Sequence, residues 1–222
     1  MKEYPNYIIT PEKSYKSIAF DDPNEIYNDQ YWSAHQNHST IDEQVTNVIG
    51  KNELVKAEIC YGNPKRILEI ACAPAYLLGE LEKDFECHGI EIDPTYKDEM
   101  QKYCPNSTLH FGFFPQVTHD WSDNFVCNII ALDVLEHVED GIGFLKECHR
   151  LLANNGKIII QSPIILEDKE MVDRMFFARE HIWIYDYLHL QKLMEEAGFE
   201  VTGFSRFQVG HEQVVGICKK NS

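Results

Sequence analysis

The sequence predicts an α/β chain, a mostly parallel sheet covered by helices on both faces. Three observations predict it. From residue 63 onward short apolar runs alternate with longer amphipathic ones, the rhythm of strands joined by crossover helices. Arg66–Leu78 reads as a buried strand that ends in a loop of very small residues and runs straight into a helix. That arrangement brings backbone close to a nucleotide-like ligand. Gly89-Ile90-Glu91-Ile92-Asp93 then closes the following strand with carboxylates, suited to the two hydroxyls of a ribose.

Residues 1 to about 38 are polar and aromatic with no clear period. Thr40-Ile41-Asp42-Glu43 makes a capping box, and Ile41, Val45, Val48 and Ile49 follow at helical spacing. A helix is therefore expected from here to Cys60, with Gly62-Asn63-Pro64 ending it. Ile67–Cys72 is the first strand of the sheet, and Tyr76, Leu77, Leu78 and Leu81 mark the helix after it. His88–Ile92 is the second strand. Asp93 caps and Pro94 opens a helix with Tyr96, Met100 and Tyr103 inward. Thr108–Phe111 is a short third strand and Val126–Leu132 an apolar fourth. Asp140 caps a helix that buries Phe144, Leu145, Cys148, Leu151 and Leu152, and Asn154-Asn155-Gly156 turns into a fifth strand, Lys157–Gln161. Residues 163–183 break the rhythm. Tyr187–Ala197 is a helix burying Leu190, Leu193, Met194 and Ala197, and Gly198 stops it. Phe199–Phe204 and Gln208–Cys218 are strands separated by so few residues that they pair antiparallel.

The 222 residues, 44% of them hydrophobic, suit one α/β unit with an appendage. The expected division is an N-terminal segment and helix, 1–62, and a compact unit, 63–222. A formal net charge of −16 repels phosphate backbones, which argues against nucleic acid as a partner. Met1–Tyr7 lacks the apolar stretch of a signal peptide, and no window approaches the roughly 18 apolar residues of a membrane span. The 7 cysteines are scattered without a Cys-x-x-Cys pair, so they read as reduced thiols of a cytoplasmic protein, with no metal knuckle among them.

A third stretch, Ala131-Leu132-Asp133-Val134-Leu135-Glu136-His137-Val138, completes a pattern with the first two. Together they resemble the class I S-adenosylmethionine-dependent methyltransferases, whose text runs close to E-I-G-C-G-P-G, then G-I-E or G-V-D, then V-L-E-H-V. The resemblance covers roughly residues 60–218. It implies a Rossmann-like seven-stranded sheet of order 3-2-1-4-5-7-6 with the last strand antiparallel. It also implies S-adenosylmethionine at the carboxyl ends of the strands. Cofactor contacts are then expected from Glu69, Ala71, Cys72, Ala73 and Ala75 after strand one, and from Glu91 and Ile92 after strand two. Asp133 and Val134 would meet the methionine moiety. Phe113 and Phe114 fall where the family often has an acid for the adenine amino group, so they either stack on the purine or belong to the core. The family's loop glycines are here Ala71, Ala73 and Ala75, and Cys127 takes the place of a usual aspartate. Where such a residue sits at φ > 0, alanine costs on the order of 1–2 kcal/mol. The alanines are expected at negative φ, so that returning glycine at Ala73 or Ala75 weakens stability slightly.

The donor is an activated sulfonium, so the enzyme mainly aligns donor and acceptor; removing a proton is extra work that an alcohol or phenol needs. His137 fits that task as general base, with a structural role as its alternative. His181 leads into Ile182-Trp183-Ile184-Tyr185, similar to the family's E-H-I text, and either faces the acceptor or is structural. The 163–183 insert, with Phe177 in the segment Glu167–Arg179, is expected to be a lid over the acceptor. The resemblance implies that the N-terminal segment with Tyr31, Trp32, His35 and His38 folds over the cofactor, helix packing against the sheet being the alternative. Tyr31, Trp32, His38, Phe177 and Tyr185 are expected to touch substrate. The reading is methyl transfer to a small-molecule acceptor, a hydroxyl before a nitrogen. Two alternatives stay open: a catalytically silent relative that binds a nucleoside or a protein partner, and an N-methyltransferase acting on a protein or amine.

Overall fold

The computed structural model describes residues 7–18, 52–164, 180–209 and 211–220. Two short strands, β1 (Tyr7–Ile9) and β2 (Tyr15–Ser17), precede the alternating part. That part runs β3 (Arg66–Ile70), α1 (Tyr76–Leu81), β4 (Glu86–Glu91), α2 (Lys97–Tyr103), β5 (Thr108–Phe111), β6 (Val126–Leu132), α3 (Gly141–Leu151) and β7 (Leu152–Pro163). It ends with β8 (Trp183–Ile184), α4 (Tyr187–Glu196), β9 (Phe199–Val209) and β10 (His211–Lys220). Seven strands form one sheet in the order β5-β4-β3-β6-β7-β10-β9. β3 to β7 are parallel, and β10 runs antiparallel to both its neighbours. Counted within the sheet, this is the expected 3-2-1-4-5-7-6.

Burial on both faces explains why the central strands are apolar without alternation. Leu68, Ile70, Ile129, Ala131, Ile158 and Ile160 pack with Phe144, Leu145, Cys148 and Leu151 of α3 and Leu190 and Met194 of α4. Ile67, Ile130 and Ile159 point the other way, to Leu77, Leu78 and Leu81 of α1 and Met100 of α2. Gly89 fixes how closely the layers meet. A Cβ there would lie 2.6 Å from Cys72 Sγ and 2.8 Å from Leu78 Cδ1, so only glycine lets the loop after β3 rest on β4.

The caps expected from sequence form. Asp93 Oδ1 accepts from Thr95 N at 2.8 Å, and Asp140 Oδ1 from Gly143 N at 2.9 Å. Pro94–Tyr96 is a 3-10 turn leading into α2, whose Tyr103 is 41% exposed rather than inward. β7 starts five residues before the expected Lys157. Val126 pairs with Leu152 and Asn128 with Lys157, so Asn154-Asn155-Gly156 bulges out within the strand instead of preceding it.

Residues 52–58 are helical, and Val55 and Ile59 enter the second core. Cys60 N donates to Asn128 Oδ1 (2.9 Å), and Cys127 Sγ to Arg66 O (3.2 Å). Cys127 thus serves at the far end of β6 from the ligand-facing loops, joining the end of this helix to the sheet. The Thr40 capping box lies outside the described residues. β1, β2 and β8 form a separate three-stranded sheet that the sequence did not announce, since strands of 2 or 3 residues carry no readable period. Among the described residues no helix is long and apolar enough to cross a membrane.

Candidate active site

Four loops at the carboxyl ends of β3, β4, β5 and β6 enclose a cavity of about 390 Å³. Ala71, Glu91, Ile92, Phe113, Phe114, Asp133, Val134 and His137, all expected at the site, line it together. Ile70, Ile90, Leu132, Val138, Phe144 and Ile182 complete an apolar wall, and Glu139 adds a carboxylate.

The loop after β3 departs from expectation. Ala71 sits at φ 57° and Ala75 at φ 71°, both left-handed, while Ala73 is not among the positive-φ residues. The chain keeps the backbone path of a glycine loop and carries the steric cost at two positions. Ala71 is exposed, so Ala71→Gly sheds that cost without losing packing. It is expected to raise stability by roughly 0.5–1 kcal/mol, the relief less glycine's larger unfolded-state freedom. Ala73→Gly is expected to lower stability by about 0.5 kcal/mol. Urea denaturation of the two variants checks this; equal shifts would show that φ at Ala71 carries no strain. Ala75 is 1% exposed, and its methyl offsets part of the same gain.

Glu91 organises this loop. Its carboxylate accepts from Ala73 N (3.1 Å), Ile92 N (2.8 Å) and Asp93 N (3.4 Å) while lining the cavity. Burial raises its pKa and these amides oppose the rise. Glu69, Cys72 and Ala75 are buried beneath the loop and do not form the cavity wall. Among the described residues Glu69 Oε2 has no hydrogen-bond partner, and burial, reinforced by the charge of Glu91, pushes its pKa up to about 8.

Phe113 and Phe114 follow Gly112, whose φ of 138° turns the chain over the cavity. Both rings line it, and Phe114 also packs edge-on against Phe144, with ring centroids 4.9 Å apart. Asp133 takes a left-handed φ of 54°, a conformation aspartate tolerates better than most residues. Gln161 Nε2 donates to both its oxygens, at 2.7 and 2.8 Å, and Asp133 N donates to Gln161 O.

His137 closes a 3-10 turn, Leu135–His137. Its Nδ1–H donates to Glu180 O at 2.9 Å, which fixes the tautomer and leaves Nε2 as the basic nitrogen. Its ring stacks on His181, with centroids 4.8 Å apart. Burial, with the neighbouring His181, pushes the His137 pKa down to about 4, below the near-neutral value of an exposed imidazole. The ring is therefore neutral at physiological pH. Tyr185 is 1% exposed in the core beneath, its hydroxyl against Gly141, and takes no part in the cavity wall. Tyr31, Trp32, His38, Phe177 and the lid segment lie outside the described residues.

Sequence reasoning missed Gln161 and Ser162. Their signal was two polar residues closing the run Ile158-Ile159-Ile160, where a buried strand has no use for polarity unless something at its end binds it. Ser162 Oγ donates to Glu136 Oε2 at 3.2 Å, and Glu136 is 1% exposed.

A seven-stranded sheet of this order with a strand-end cavity between the β3 and β6 loops defines the class I methyltransferase fold. The sequence matches the family described as "Methyltransferase domain" over residues 34–203, more than half of the chain, and the chain belongs to that family. It is an S-adenosylmethionine-dependent methyltransferase. Among solved structures, one of an S-adenosylmethionine-dependent methyltransferase from Mesorhizobium loti superposes with a TM-score of 0.62 at 10% identity, covering 76% of this chain and 96% of that one. A methyltransferase from Archaeoglobus fulgidus gives 0.59 at 17% identity, covering 76% and 94%. The [4+2]-cyclase SpnF gives 0.64 at 13% identity, covering 77% and 79%. At such identities they attest the fold alone. No curated protein matches the sequence.

The cavity suits S-adenosylmethionine by its chemistry. The acidic residues Glu91, Asp133 and Glu139 in its lining suit a ligand that carries an ammonium and a sulfonium, and Ile92, Phe113 and Phe114 suit a purine. When bound, the cofactor supplies the activated methyl group.

Proposed function

We propose that the protein methylates a hydroxyl of a small-molecule acceptor, such as a sugar, a glycan precursor or another metabolite, in the cytoplasm. The observation that carries this reading is His137: a neutral imidazole at the cavity wall, turned by the Glu180 carbonyl so that Nε2 is its basic nitrogen. An uncharged amine needs no such group before it attacks, whereas a hydroxyl must lose its proton. His181, stacked on His137, extends the same corner, where the acceptor oxygen would sit. The net charge of −16 favours a small acceptor over a nucleic acid.

Glu91 holds the ribose in this reading while its amide contacts hold the loop. Glu91→Ala is expected to weaken S-adenosylhomocysteine binding by roughly 1.5–3 kcal/mol, the usual range for hydrogen bonds to a charged group. Titration calorimetry measures it, and unchanged affinity removes Glu91 from the ribose. A panel of sugars, phenols, amines and peptides, assayed for S-adenosylhomocysteine release, tests the acceptor class. Turnover of amines alone overturns the hydroxyl reading.

A further inference from the structure

We propose that Glu136, His137 and His181 hold one divalent transition-metal ion at the acceptor end of the cavity. Their donor atoms lie within 4.8 Å of one another, with Glu136 Oε1 and His137 Nε2 3.9 Å apart. Donors on one ion bonded at about 2.1 Å stand roughly 3–3.5 Å apart, so small rotations of the two rings bring the three atoms to a common centre.

The cluster is held on both sides. Glu136 O accepts from Ile182 N at 2.8 Å, so the turn carrying Glu136 and His137 is bonded to the segment carrying His181. Ser162 Oγ occupies Glu136 Oε2, which turns Oε1 toward the imidazoles. Glu180 O holds His137 Nδ1–H, the outer-shell contact that commonly orients a ligating histidine and fixes its tautomer. Glu136 is a buried carboxylate between these groups, and a cation beside it offsets the cost of burying its charge.

Two imidazoles and one carboxylate favour manganese, iron, cobalt, nickel or zinc over the oxygen-seeking magnesium and calcium. Three protein ligands leave coordination positions open, and His137, the ligand that lines the cavity, brings the ion to its wall, where an acceptor can take one of them. The ion's role rests on the hydroxyl-methylation reading, although its binding does not. Coordinated to the acceptor hydroxyl, the ion lowers that group's pKa so that the proton leaves to water near neutral pH. His137 then acts as a ligand, and the direct acceptance of the proton by Nε2 is the rival outcome.

The test uses the purified full chain, stripped with EDTA and titrated with Co²⁺ while visible absorption and calorimetry are followed. The expected result is saturable one-to-one binding with ligand-field bands, weakened at least tenfold in His181→Ala and in His137→Ala. Thermal melts confirm that both variants fold, and His181→Asn serves if His181→Ala does not. Absence of saturable binding at millimolar Co²⁺, or equal affinity in wild type and the folded variants, overturns the site. S-adenosylhomocysteine calorimetry on the stripped wild type separates the two readings. Nucleoside binding without Co²⁺ binding sinks the metal site alone, and Co²⁺ binding without nucleoside binding supports the metal site while counting against the proposed function.

Discussion

His137→Ala is expected to lower methyl-transfer turnover by about 10²–10⁴-fold, with cofactor affinity little changed. The size follows from what the side chain does at the cavity wall. In the hydroxyl reading the donor brings its own leaving group, so the acceptor's proton is the one to be removed, and His137 is the group proposed to meet it, by either route. Its ring is held by the Glu180 carbonyl and stacked on His181, so substitution removes a pre-oriented group rather than a mobile one. The contacts expected for the cofactor come from other side chains, those of Glu91, Phe113, Phe114 and Asp133, which is why S-adenosylhomocysteine affinity should survive. Single-turnover rates with the acceptor found by the panel, set beside calorimetric affinities, make the comparison. His137→Asn retains some hydrogen bonding without the basicity, and near-full activity in that variant would reduce His137 to an orienting role. His181→Ala separates the two routes: a loss as large as that of His137→Ala fits a shared ion, and a much smaller loss fits a lone base.

The sequence carried the fold because its signals are local and redundant. Continuous apolar strands, the Asp93 and Asp140 caps and the short step between the last two strands each specified an element, and their order specified the sheet. The cavity wall was readable for a related reason: strand-end loops converge in any open parallel sheet, so Ala71, Glu91, Phe113 and Asp133 meet whatever their separation in the chain. What escaped was non-local or conformational. Left-handed φ at Ala71 and Ala75 is invisible in residue type, because alanine carries no turn signal. The Glu136–Ser162 and Asp133–Gln161 bonds join residues 26 and 28 positions apart. They follow from β7 lying beside β6, which only the assembled sheet displays. β1 and β2 escaped because each has 3 residues, and β2 alone pairs with the rest of the chain, through a two-residue strand at Trp183–Ile184.

Glu69→Gln is expected to stabilise the protein at neutral and alkaline pH, by on the order of 2–3 kcal/mol at pH 7. Glu69 ionises near 4.5 in the unfolded chain but only at about 8 in the fold, because burial and the Glu91 charge penalise its anion. Between those values the unfolded chain gives up the proton and the folded one keeps it. The folded state is therefore fully favoured below pH 4.5, and that favour drains away as pH rises, to its full loss above about 8. Glutamine has the shape of the protonated acid and no proton to lose, so the variant's curve should lack this decline. Other groups titrate in the same range. His88 and His110, lowered by burial, cost stability as pH falls below about 6.5, but they act alike in both proteins and cancel in the difference. Urea denaturation at intervals from pH 5 to 8.5 provides that difference. It should be small at the acid end and grow steadily toward the alkaline end. Parallel curves would mean that Glu69 is as ionised in the fold as in the unfolded chain, and that its unpartnered oxygen finds a compensating charge beneath the loop.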